Sequence, residues 1–247
     1  MTTLKRKLDA TLSRWVRLGA MFGVGPCAEE PDLDELIVDS ASVMQRMPRL
    51  HAVMVSWLIR YGELTCRHRL ARMARQISSP LQSAALGFSL SYAKEHSRSD
   101  HFNLVLEACA PLKTPEPLFD VYRENGQLRQ MAAQSSSLLA IRWGLWSPEE
   151  RLSDDAIRPA KWIMNCNPSL QLRALFRGKL PASILATLQH TPEAGHSESA
   201  LARALGVTRR ATREALDHLE LCQLAVRTRG KHTTRIELLP RPALGLE

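Results

Sequence analysis

The sequence predicts a mainly α-helical chain that closes on a small β-hairpin. Three observations lead there. Apolar residues recur at three- and four-residue steps through most of the first 175 positions, the spacing of one helix face. Alternating strand-like stretches are nearly absent before residue 220. Beyond it, LAVRT (224–228) and TTRIELL (233–239) alternate around the basic tip RGKH. The expected division is an all-α domain over residues 1–176 and a second unit over 177–247, with RGKLP (177–181) at the boundary.

The elements follow in order. Leu4 to Leu18 has helical apolar spacing and ends at MFGVGP (21–26), whose two glycines and proline stop a helix. Asp32 to Met47 reads as a second helix, halted before Pro48. Leu50 to Ile77 is strongly helical, with Gly62 as the point of a break or kink. Pro80–Glu95 and Asp100–Ala110 are expected as two more helices, LKTPEPLFD (112–120) as a loop and Gln127–Trp146 as a helix. Ser147-Pro148-Glu149-Glu150 has the composition of a helix start: a serine cap, an early proline and acids behind it. NCNPS (165–169) is a turn with a short helix after it. Pro181 opens a helix in PASILATLQH, with Ile184, Leu185 and Leu188 on one face. TPEAGHSES (191–199) is a loop ending in serine caps. Ala200–Leu205 is a short helix, Gly206-Val207 a turn, and Thr208 the cap of a helix running to Leu221.

Composition limits the chemistry. Of 247 residues, 45% are apolar, enough for a packed core, and the net charge of +8 favours polyanionic partners. The five cysteines are scattered, with no CxxC spacing. No disulfide framework or zinc knuckle is expected, and a reducing cytoplasm is the natural compartment. The basic N-terminus is interrupted by Asp9 and Arg14, unlike a signal peptide, and no window approaches a membrane span. GxSxG, P-loop, GxGxxG and HExxH patterns do not occur. Cys66 and His68 stand two apart on a helix and face different ways. No catalytic residue, metal or cofactor is therefore expected.

The C-terminal stretch LARALGVTRRATREALDHLELCQLAVRTRGKHTTRIEL is the informative one. It resembles the DNA-binding domain of bacterial winged-helix regulators, above all the GntR and MarR groups. Their pattern is similar to LAxxLGVSRxTVRxALxxLExxGLV followed by a basic wing. The resemblance covers about Pro181 to Leu239 and implies a winged helix-turn-helix. Cys222-Gln223 departs from it where the pattern has a glycine. The position also departs: the GntR group places this domain at the N-terminus, so no effector or metal site transfers from that group.

Taken by themselves, Leu201, Leu205, Val207, Ala215, Leu216 and Leu219 can share one buried cluster. Arg209, Arg210 and Arg213 fall on the opposite face, where a recognition helix presents its first turns to base edges. Two arginines at a helix start oppose the helix dipole, which favours anions there, so an arriving phosphate would offset them. The expected DNA-binding set is Thr208, Arg209, Arg210, Thr212, Arg213, Arg227, Arg229, Lys231 and His232. Thr212 belongs to that set although it also falls on the buried stripe, where its methyl could pack inward. From Arg203 to Arg235 eight cations stand against three acids.

Two further basic segments remain open between readings. Lys5, Arg6, Lys7, Arg14 and Arg17 suit a DNA arm or a dimerisation element. His68, Arg72 and Arg75, with Arg67 and Arg69 nearby, suit a solvated face, DNA, a phosphate ligand or an acidic partner. Trp143, Trp146 and Trp162 suit the core or a ligand pocket. The resemblance implies a sequence-specific double-stranded DNA-binding transcriptional regulator: not an enzyme, cytoplasmic, a homodimer, and a repressor rather than an activator. The helical domain would oligomerise or sense an unspecified effector. The alternatives are a plasmid or phage replication or partition protein, and a winged-helix adaptor that binds protein.

Overall fold

The computed structural model describes residues 3–149, 152–229 and 234–240. Helices α1 (Thr3–Arg17), α2 (Leu33–Val43), α3 (Pro48–Tyr61), α4 (Arg67–Arg75) and α5 (Pro80–Ser97) build the N-terminal body. Short helices α6 (Asn103–Leu106), α7 (Asp120–Arg123), α8 (Gly126–Gln134) and α9 (Leu138–Arg142) follow, with β1 (Glu116–Pro117) pairing in parallel with β2 (Leu145–Trp146). Then come α10 (Ala160–Cys166), α11 (Pro168–Leu175), α12 (Leu180–His190), α13 (Glu198–Leu205), α14 (Arg209–Leu221) and the antiparallel pair β3 (Ala225–Arg229) and β4 (Thr234–Leu238).

Several expected helices are broken, each for a local reason. The run from Leu50 divides at Gly62: a Cβ there would lie 2.6 Å from the Phe102 ring, and Thr65 donates its hydroxyl to the Gly62 carbonyl at 2.8 Å, closing a single tight turn. The segment from Asp100 keeps only α6, because the Ala110 amide is drawn to Ser83 Oγ at 2.9 Å. The 127–146 segment divides between α8 and α9 and ends as a strand. Ser147-Pro148-Glu149 starts no helix. The Ser147 carbonyl accepts from the Ser137 amide at 2.9 Å and Pro148 bridges Ser136, so tertiary pairing holds the segment extended despite its cap composition. LKTPEPLFD, expected as a loop, supplies β1.

Two apolar cores form. One runs from Leu12 to Leu170 around Trp15 and Trp57, whose rings meet edge-on at 5.8 Å. The other collects Ile184, Leu185 and Leu188 with Leu201, Leu205, Ala215, Leu216, Leu219, Ala225 and Ile236, with Val207 packed at its edge. Leu201, Leu205, Val207, Ala215, Leu216 and Leu219 are the residues whose spacing groups them, and the structure adds the Ile184, Leu185 and Leu188 face of α12 and the hairpin residues Ala225 and Ile236.

Between the cores lies a charged seam. Arg69 on α4 donates from Nη1 to Asp32 Oδ1 at 2.6 Å and to Asp34 Oδ2 at 3.0 Å, and from Nη2 to Asp32 Oδ2. Arg173 on α11 stands 3.6 Å from Asp34 and donates to the Leu64 carbonyl at 3.4 Å. Burial alone would raise the Asp32 carboxyl, but the Arg69 guanidinium holds it below the usual carboxylate range. Asp32 also caps α2 by accepting from the Asp34 and Glu35 amides. Gly178, with φ +62°, passes so close that a Cβ would lie 2.3 Å from the Glu63 carbonyl oxygen. The C-terminal unit is thereby seated on the turn before α4 and on α4 itself.

Two of the cations of the basic helix α1 are paired with α2. Arg14 pairs with Asp39 at 2.7 Å and Glu35 at 3.0 Å, and Lys7 stands 3.7 Å from Asp39. The three tryptophans part company. Trp143 lies against Gly87 and donates to Ser91, while Trp146 and Trp162 stack under Arg129 and Arg158.

Candidate nucleic-acid interface

The turn between α13 and α14 is built by sequence-specific capping. Ser197 Oγ accepts from the Ala200 amide at 3.1 Å and starts α13. Gly206 ends it in the left-handed region at φ +71°, where a side chain is disfavoured, and the Val207 amide reaches back to the Ala202 carbonyl at 3.1 Å. Thr208 Oγ1 then accepts from the Ala211 amide at 3.2 Å and starts α14. Thr208 thus spends its hydroxyl on the helix start, though the residue itself is exposed.

Thr212 corrects the expectation of a DNA-facing residue. It is fully buried, and its hydroxyl bonds back to the Thr208 carbonyl at 3.1 Å. Its methyl occupies the place of an apolar residue on the inner stripe, and its hydroxyl is satisfied locally.

Arg209, Arg210 and Arg213 do project outward, with side chains 62%, 90% and 55% exposed. They are not unopposed. Glu198 Oε2 lies 3.5 Å from Arg209 Nε and 3.0 Å from Arg213 Nη2, and Arg210 Nε donates to Glu214 at 2.9 Å one turn on. The arginines that face a helix dipole are therefore partly offset from inside the chain, Arg209 by the first residue of the preceding helix and Arg210 by Glu214. Counted from Glu198 to Leu238, eight cations stand against five acids. The signal was available: Glu198 lies just upstream of the recognition turn, behind the Ser197 cap.

Arg227 is the most engaged of the set. Its guanidinium meets Glu198 at 3.4 Å, Glu220 at 2.5 Å and Asp217, and its amide donates to Glu220 Oε1 at 2.8 Å. Half-buried and held by three carboxylates, it ties β3 to α13 and α14 rather than presenting a free cation. Arg229 pairs with Thr234 in the strand register. Lys231 and His232, at the expected wing tip, lie outside the described residues. The glycine that the resembled pattern has and this chain lacks leaves a mark: Gln223 adopts φ +55°, the conformation a glycine would favour. The Leu224 amide still closes onto the Leu219 carbonyl at 2.9 Å, so the entry to β3 is made with glutamine in its place.

Burial alone would raise the Glu198 carboxyl, yet the Arg213, Arg227 and Arg209 guanidiniums hold it below the usual carboxylate range. A depressed folded value stabilises the protein above the ordinary carboxylate range, and that stabilisation is lost as pH falls through the folded value. Glu198→Gln is therefore expected to be less stable than wild type at neutral pH, with the gap closing in acid. Urea unfolding of both proteins across pH checks this; a gap independent of pH contradicts it.

Cys66 is fully buried, and burial pushes its thiol up to about 12; Cys109 is pushed to about 12 by the same cause. Neither is a nucleophile at neutral pH. Cys222 is exposed at the end of α14. A thiol-reactive aromatic disulfide is expected to modify Cys222 quickly in the native protein and to reach Cys66 only on unfolding. Rapid native labelling of Cys66 would contradict the packing around α4.

Among the described residues no group of three His, Cys, Asp or Glu side chains is placed to hold a metal ion, and no helix is long and apolar enough to cross a membrane. No protein-family model, curated protein or solved structure matches the chain.

Proposed function

We propose that the C-terminal unit is a winged helix-turn-helix that binds double-stranded DNA, and that the chain is a cytoplasmic transcriptional regulator. The single observation that carries this reading is the start of α14. Arg209, Arg210 and Arg213 project outward from a helix capped by Thr208 and seated on its own core. Arginine in such a turn can fork to guanine O6 and N7 in a major groove, and the free amides of the turn suit a phosphate. Carboxylate partners hold these side chains in place and can be exchanged for phosphates on binding.

Bacterial repressors of this build read near-palindromic sites as dimers, so the proposed unit is a homodimer acting as a repressor. Exposed apolar side chains at Val121, Met131, Leu138 and Ile141 on α7 to α9 offer surface for the second copy. Footprinting the purified protein on the promoter beside its own gene tests the reading. A protected site supports it; an origin sequence protected in preference would move the assignment to replication or partition.

One observation favours a second reading. The carboxylate network around Arg209, Arg213 and Arg227 neutralises much of the face, as suits a winged helix that docks onto protein. That adaptor gives no salt-dependent shift of duplex DNA, whereas phosphate contacts give a steep one.

A further inference from the structure

The cations of α14 and of Arg227 have acid partners, whereas three arginines beside them do not. Arg72 and Arg75 on α4 and Arg203 on α13 have no acid within ion-pair distance among the described residues. Arg75 and Arg203 are exposed and Arg72 is half-buried, with its Nε turned away from water. Burial and the neighbouring Arg69 push the Arg72 guanidinium below its ordinary value, as expected of a cation lacking a counter-charge.

These residues sit next to the candidate interface. Helix α4 packs against α13 and α12, and the His68 carbonyl oxygen lies 4.0 Å from where a Cβ on Gly206 would stand, at the turn leading into α14. His68, Arg72 and Arg75 share one face of α4 at steps of four and three, and Arg203 lies one turn before Gly206 on α13. The Arg69 anchor to Asp32 and Asp34 fixes α4 in this position, so the strip is held rigidly against the C-terminal unit.

We propose that Arg72, Arg75 and Arg203 form a phosphate-contact strip that flanks the α14 reader, so that the helical body itself grips the backbone of the duplex. This rests on the reading of α14 as a DNA-binding helix. Charge complementarity and continuity with α14 select the occupant: a polyanion that passes the α13–α14 turn. Where the α14 arginines must exchange a carboxylate for a phosphate, the strip has no internal partner to give up.

The test is a fluorescence-anisotropy titration of a labelled mixed-sequence duplex over a range of salt, using the full chain. Each phosphate contact removed makes the slope of log K against log salt shallower by about 0.9. Arg75→Ala with Arg203→Ala is expected to flatten the slope by nearly two and to weaken binding roughly 60-fold at about 0.1 M salt. Arg75→Lys with Arg203→Lys is expected to keep the wild-type slope, because the charges remain. Both residues are exposed, and unchanged thermal unfolding of each variant confirms the fold. Wild-type binding with a steep slope that the alanine pair leaves unchanged overturns the strip and leaves the α14 reading standing, as does a lysine pair as weak as the alanine pair. Absence of salt-dependent binding by the wild type overturns both.

Discussion

Asp34→Ala is expected to lower the unfolding free energy by about 3–5 kcal/mol, the cost of breaking a buried ion pair from one side. Asp34 is wholly buried and serves three groups at once: Arg69, Arg173 and the Cys66 amide at 2.9 Å. Without it, among the described residues Arg173 keeps only the Leu64 carbonyl and Arg69 only Asp32, in a seam of buried side chains. Urea unfolding followed by the fluorescence of buried Trp15 and Trp57 measures the loss. A change below about 1 kcal/mol, the scale of a surface pair, would contradict the account of the seam. Arg69→Ala belongs to the same class. It strips Asp32 of its guanidinium, so it reports on folding and is unsuitable as a neutral comparator for DNA binding.

The seam also marks the limit of what one-dimensional reading can reach. Arg69 sits in CRHRLARMARQ, where five basic residues share nine positions and nothing local distinguishes the buried one from the exposed Arg67 and Arg75. Its partners lie 37 and 35 residues away, and Arg173 joins from the far side of the chain. The C-terminal unit was legible because its information is local. Capping residues, the Gly206 turn and the apolar stripe of α14 all lie within a few turns of one another. Ser147 illustrates the opposite case. Its cap composition is real, but the Ser137 amide and the pairing of Leu145-Trp146 with Glu116-Pro117 claim the backbone first. Thr212 could be placed on the inner stripe from spacing, and its burial follows that spacing rather than its polarity. Glu198 stands near the α14 arginines in sequence, but Arg227 meets it because the hairpin folds back across α14.

The second large effect concerns α14. Arg209→Ala combined with Arg213→Ala is expected to weaken specific duplex binding by at least about 2 kcal/mol, roughly thirtyfold, if each makes one good base contact. The stability cost should be small, since both side chains are more than half exposed and exposed pairs contribute little. Gel-shift titration measures the first effect and thermal unfolding the second. Arg227→Ala is expected to show the reverse balance: it releases Glu198, Asp217 and Glu220 together, so it costs stability before it costs affinity. Equal losses of affinity in the two proteins, with equal stability, would contradict the separate roles given to α14 and β3.

The central claim is that α14 brings positive charge to a nucleic-acid duplex, and the salt dependence of binding by the intact chain tests it most directly. Log K is expected to fall linearly as log salt rises, with a slope of several units, and Arg209→Ala with Arg213→Ala is expected to lower K for the specific site at every salt concentration. Binding that is absent, or that does not change between about 50 and 200 mM salt, would contradict it.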